Sequence, residues 1–140
     1  MAFVIEGRAV VPGVVRAPVL ACGEPLSFWG GYDQATGEII DRRHPLSGEQ
    51  GAGRVIAVPH TRGSSTTTGI LLESVRAGVA PAALVTVETD PFLALASIVA
   101  GEMYGSSFPV VAVDAASFRS LRSGQIVSIE TDGRITVEDA

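Results

Sequence analysis

The sequence predicts an α/β fold, a mixed sheet covered by helices, and three observations carry that expectation. Short β-branched runs lie towards both ends of the chain. Between them, apolar runs of strand length alternate with stretches of helical spacing, which reads as a βαβαβ core. Gly, Pro and Asp turn residues punctuate the junctions. The layout fits an α/β sandwich or half-barrel, and 140 residues suit one domain.

Residues 3–11 and 14–21 are the first two predicted strands, divided by Pro12-Gly13. Next come Phe28, Trp29 and Tyr32 beside the pair Gly30-Gly31. Such aromatics either plug the edge of a core or form a surface that meets a ligand or partner subunit. Residues 41–48 are the densest polar cluster, with Arg42, Arg43 and His44. His44 is a candidate for an anion site or proton transfer, against the plainer role of a hydrogen-bonded loop histidine before Pro45.

Residues 55–58 form the central strand. A helix is expected over 66–77, with Ile70, Leu71, Leu72 and Val75 inward and Gly78 as its stop. The nearly unbroken apolar run 81–87 predicts a strand buried on both faces, parallel to the central one through a right-handed crossover. Asp90 and Pro91 open a second helix over 91–104, where Phe92, Leu95, Ile98, Val99 and Met103 fall at helical spacing. A third apolar strand at 108–113, a short helix at 114–121 and a hairpin of 126–130 with 135–138 complete the chain, the hairpin turning on Thr131-Asp132-Gly133.

Composition removes several functions. A net charge of −5 argues against binding a phosphate backbone, although all ten basic residues are arginine. Cys22 stands alone, so neither an internal disulfide nor a cluster ligand set is available, and the two histidines have no metal spacing. The opening residues lack a basic flank and apolar core, and no apolar run is long enough to span a bilayer; no signal peptide and a cytoplasmic location are expected. A phosphate loop would need a lysine, and no dinucleotide fingerprint follows the strands. A nucleophile-elbow hydrolase would place its histidine after the serine, whereas His44 and His60 both precede Ser64.

What remains is residues 54–69, a strand, a Gly and hydroxyl turn, and a helix start. The first N–H groups of a helix lack intrahelical partners and carry partial positive charge, so this end attracts anions. Gly63 permits close backbone approach, Ser64, Ser65 and Thr66 add hydroxyls, and Arg62 offers a planar fork for a carboxylate or phosphate. The simpler alternative is that Ser64, Ser65 or Thr66 only caps the helix. The parts do not amount to a full catalytic set, which implies a partner.

Three stretches taken together, Leu26-Ser27-Phe28-Trp29-Gly30-Gly31, then Ile40-Asp41-Arg42 with His44-Pro45-Leu46, then Gly63-Ser64-Ser65-Thr66, resemble the small subunit of the aconitase X family over essentially the whole chain. The resemblance implies a swivelling β/β/α domain that closes over an iron–sulfur site held by a separate large subunit, with no cluster on this chain. It further implies hydro-lyase activity, the dehydration of cis-3-hydroxy-L-proline or of mevalonate 5-phosphate, with Ser64 at the position of a serine base. Lysine-free, arginine-only composition favours the proline reading. Thr66 stands where aconitases carry an arginine, leaving open which groups hold the substrate carboxylate. A noncatalytic anion-binding or regulatory module is the alternative of another class.

Overall fold

In the computed structural model, which describes residues 2–62 and 65–138, the opening β-branched run is divided at Gly7 into β1 (Ala2–Glu6) and β2 (Arg8–Val11). The two pieces lie at opposite ends of the strand order. β1 pairs antiparallel with β10 (Arg134–Glu138), and β2 pairs antiparallel with β8 (Val110–Ala112). Between these edges run β9 (Ile126–Ile129), β3 (Val15–Ala21), β5 (Val55–Ala57) and β7 (Ala83–Thr86), giving the order β1-β10-β9-β3-β5-β7-β8-β2. Because β1 and β2 are one continuous piece of chain, the sheet is closed. Gly7 is required at the seam: a Cβ there would stand 2.5 Å from Val111 Cγ1 and 2.6 Å from the Gly133 carbonyl oxygen.

The expected parallel core is present, with β3, β5, β7 and β8 as parallel neighbours. Two crossovers link the last three: α1 (Ser65–Arg76) between β5 and β7, and α2 (Pro91–Tyr104) between β7 and β8. The short α3 (Ala115–Arg119) leads from β8 to the β9–β10 hairpin. Period-two alternation then makes two cores from one sheet. Val55, Ala57, Ala83 and Val85 point inward with Ile5, Val127, Ile129 and Ile135, while Ile56 and Leu84 point outward to meet Leu71 of α1 and Leu93 of α2. This is why the central strands read as unbroken apolar runs: both of their faces are covered.

α1 turns its expected side inward, with Leu71 buried and Ile70 and Val75 packed against the core, whereas α2 does not. On α1 the innermost residues are Thr67, Leu71 and Ser74, whereas Leu72 is half-buried. The two hydroxyls are tolerated because Thr67 Oγ1 donates to the Arg62 carbonyl at 2.9 Å and Ser74 Oγ to that of Ile70 at 2.8 Å. On α2 the spacing of Phe92, Leu95, Ile98 and Met103 marks a face that the domain does not cover. Its buried side is Leu93, Ala96, Ser97 and Ala100. Small side chains let α2 lie close to the sheet and α1, and the large ones are turned out. No helix among the described residues is long and apolar enough to cross a membrane.

Candidate functional site

The parallel strands end on one side of the domain, the usual location of ligand sites in α/β sheets. After β5 the chain forms a two-residue strand, β6 (Thr61–Arg62), parallel to β4 (Leu26–Ser27), and then enters α1 at Ser65. Gly63 and Ser64 lie outside the described residues, between the end of β6 and the start of α1. Arg62 and Thr66, on either side of them, are exposed. The first turn of α1 holds no acidic residue, so the helix itself sets no carboxylate against the positive end of its dipole.

Threonines tether this turn to its surroundings. Thr67 closes it back onto the Arg62 carbonyl at 2.9 Å, and Thr68 Oγ1 donates to the Phe92 carbonyl of α2 at 3.0 Å. Thr61 Oγ1 donates to Asp90 Oδ2. Asp90 is only 9% exposed and, as the sequence predicted, caps α2, accepting from the Phe92 N–H at 3.0 Å and the Leu93 N–H at 3.3 Å. The link from the cap to Thr61 was not legible, because nothing in local sequence marks a contact between two loops.

A cleft of about 350 Å³ opens beside β6, lined by His60, Thr61, Glu88, Thr89, Asp90, Pro91 and Phe92. His60 and Glu88 are exposed along it. Arg8 reaches the same place from far away in sequence. Antiparallel pairing sets it opposite Ala112 at the end of β8, and its Nη2 donates to Thr89 Oγ1. Only strand pairing brings Arg8 here, which is why sequence reasoning missed it.

The aromatic loop is split between the two roles foreseen for it. Phe28 and Tyr32 are buried, their ring centroids 5.2 Å apart, and the Tyr32 hydroxyl donates to the Val79 carbonyl at 2.6 Å. Burial pushes the Tyr32 phenol well above its ordinary pKa. Trp29 is 65% exposed and follows β4, the strand beside β6. Gly30 has a positive φ of 75°, and a Cβ on Gly31 would stand 2.0 Å from the Ser27 carbonyl oxygen, so this tight turn needs both glycines.

The polar loop is placed less favourably for chemistry. Arg42 is exposed, but His44 is buried, with Nδ1 accepting from the Leu46 N–H at 3.1 Å and Nε2 lying 3.4 Å from the Glu24 carbonyl. Both ring nitrogens therefore serve structure, one within the loop and one tying it to the segment before β4. Among the described residues no three His, Cys, Asp or Glu side chains converge as metal ligands, and the lone Cys22 does not fit an iron–sulfur cluster.

Fold and surroundings together define a closed α/β domain with an exposed arginine before the start of α1 and a shallow mixed-charge cleft beside β6. It is an open surface that carries parts of a site. The family model described as the aconitase X swivel domain matches residues 4–137, and the chain belongs to that family. It is similar to a cis-3-hydroxy-L-proline dehydratase of Pseudomonas aeruginosa, 46% identical over 78% of this chain and 19% of that protein. A cis-3-hydroxy-L-proline dehydratase of Hypocrea jecorina is 38% identical over 95% of this chain and 22% of that protein, so the chain spans about a fifth of the length of these two curated relatives. A phosphomevalonate dehydratase small subunit of Thermococcus sibiricus is 34% identical over 96% of this chain and 98% of its own length. Among solved structures, a chain of Thermococcus kodakaraensis aconitase X in its holo form superposes with a TM-score of 0.86 at 25% identity, over 98% of this chain and 99% of that one.

Proposed function

We propose that this chain supplies the serine-bearing side of a cytoplasmic aconitase X dehydratase whose substrate is cis-3-hydroxy-L-proline. The observation that carries the reading is the pair of features flanking residues 63 and 64 in the chain, an exposed Arg62 at the end of β6 and an acid-free first turn of α1. A serine hydroxyl is a weak base. A fixed field of N–H donors and cations is what makes its alkoxide accessible. Ser64 then accepts the proton alpha to the substrate carboxylate, Arg62 and the helix N–H groups hold the developing negative charge, and the hydroxyl departs on groups this chain does not contain. The iron–sulfur cluster belongs to a large aconitase X polypeptide that completes the site.

The cleft favours the proline reading. Glu88 lines it together with Thr89, to which Arg8 donates, opposite charges suited to an amino acid with both an ammonium and a carboxylate. Mevalonate 5-phosphate, anionic at both ends and without an ammonium, would meet the Glu88 carboxylate unfavourably. Its reading is supported by the small subunits of matching length.

The test is co-expression with the large polypeptide encoded in the same genome and turnover assays on both substrates. Ser64→Ala is expected to lower turnover by ~10²–10⁴-fold with assembly intact, and Ser65→Ala to lower it far less. The chain alone is expected to be folded, colourless and inactive. Turnover by the chain alone, or a Ser64→Ala complex of ordinary activity, would overturn the reading; the latter outcome would leave a helix cap or a noncatalytic anion site.

A further inference from the structure

Helix α2 carries one charged residue, Glu102, among its fourteen. A surface helix ordinarily has a polar face opposite its buried one; a helix apolar all round belongs in an interior. The inner side of α2 is satisfied within the domain, where Ser97 Oγ bonds the Phe108 carbonyl and small residues meet the sheet. Its outer side shows Phe92, Leu95, Ile98 and Met103 at 37%, 49%, 55% and 61% exposure. They run along one flank for about three turns, roughly 16 Å. Rows of large apolar side chains on a small domain mark interaction surfaces, and phenylalanine and methionine are enriched in interface cores.

The row is continuous with the site. Phe92 both heads it and lines the cleft beside Thr61, and its carbonyl is held by Thr68 in the first turn of α1. β4 lies against β6 and leads into exposed Trp29. A body seated where β6 ends is therefore adjacent to Trp29 through β4 and to the α2 row through Phe92. The relatives indicate what that body is. In two of them this domain is about a fifth of one long chain, and in others it is named a small subunit. Both arrangements set a much larger polypeptide beside it.

We propose that the α2 face formed by Phe92, Leu95, Ile98 and Met103 is the docking surface for the large aconitase X polypeptide. The proposal rests on the subunit reading above and adds the face that makes the contact. Its test uses the double variant Leu95→Glu with Ile98→Glu, Ser64→Ala and the unaltered chain, each titrated into the large polypeptide of the same genome by calorimetry. Since both side chains are exposed, the double variant should unfold at the temperature of the unaltered chain. It should bind at least ~100-fold more weakly, the scale of two lost interface anchors, whereas Ser64→Ala should bind normally.

Equal binding by the double variant overturns the docking face while leaving the subunit reading in place. No binding by the unaltered chain overturns the subunit reading itself. If the chain alone is a dimer that the double variant splits, with binding to the large polypeptide unchanged, a second copy is the occupant and the proposal fails. Should the double variant unfold, Ile98→Ser is read by the same criteria.

Discussion

Asp90→Ala tests whether the cap of α2 also holds the strand that leads to Ser64. The carboxylate accepts two backbone N–H groups and the Thr61 hydroxyl while 9% exposed. Losing the cap costs about 1 kcal/mol. Leaving the half-buried Thr61 hydroxyl without its acceptor adds about 1–2 kcal/mol. The sum of ~2–3 kcal/mol corresponds, at roughly 4 °C per kcal/mol for a chain of this size, to a fall in Tm of about 8–12 °C. Thr61→Val removes only the link and should cost about 1 kcal/mol. The two variants share one interaction, so the pair should cost about 1 kcal/mol less than the sum of its members. Asp90→Asn keeps an acceptor at the cap and should recover most of the loss. Calorimetry of the isolated chain gives the cycle, and turnover of the assembled enzyme should fall with Thr61→Val because Thr61 precedes Arg62-Gly63-Ser64. An additive cycle, or Asp90→Ala at unaltered Tm, would refute the link.

Gly7→Ala pushes a methyl into Val111 and the Gly133 carbonyl, and denaturant unfolding should show a loss of about 1–3 kcal/mol or more; an unchanged midpoint would mean the seam is looser than described. Tyr32 bears on alkaline stability. Its folded pKa is raised by burial, so its contribution is complete below about pH 10 and is lost as pH rises through the folded value, with a slope of up to ~1.4 kcal/mol per pH unit. Tyr32→Phe should flatten that slope while losing the bond to Val79, which urea titrations across that range would reveal. Trp29, the sole tryptophan, should shift its fluorescence to the blue when the large polypeptide binds; emission identical in free chain and complex would remove it from the interface.

The parts of the fold readable from sequence are those set by neighbours along the chain. The Asp90-Pro91 cap, the Thr131-Asp132-Gly133 hairpin and the parallel strands around α1 all follow from local chemistry and periodicity. The division at Gly7 was not readable, because a β-branched run with one glycine does not reveal that its halves pair with strands at opposite edges. Nor was the orientation of α2. Helical spacing identifies an apolar face, but Ala96, Ser97 and Ala100 form a second one whose small size suits close packing, and only tertiary structure selects between them. Around Arg62 and Thr66 the strand-then-helix pattern was legible, with Ser64 outside the described residues, whereas Arg8 and Thr89 meet only through the ends of separate strands.

The single strand that spans the seam also dictates an order of events during synthesis. Ile5 must find Ile135, and Ala9 must find Val111, so the first strands of the domain wait for strands made much later. Until β10 leaves the ribosome, β1 has no partner and β9 lacks its outer neighbour. Contacts so distant in sequence slow folding and prolong the interval in which bare strand edges can pair with other chains. Nascent chains stalled before residue 134 should therefore need chaperone protection, and release of the β9–β10 hairpin should be the step that makes the domain resistant to protease.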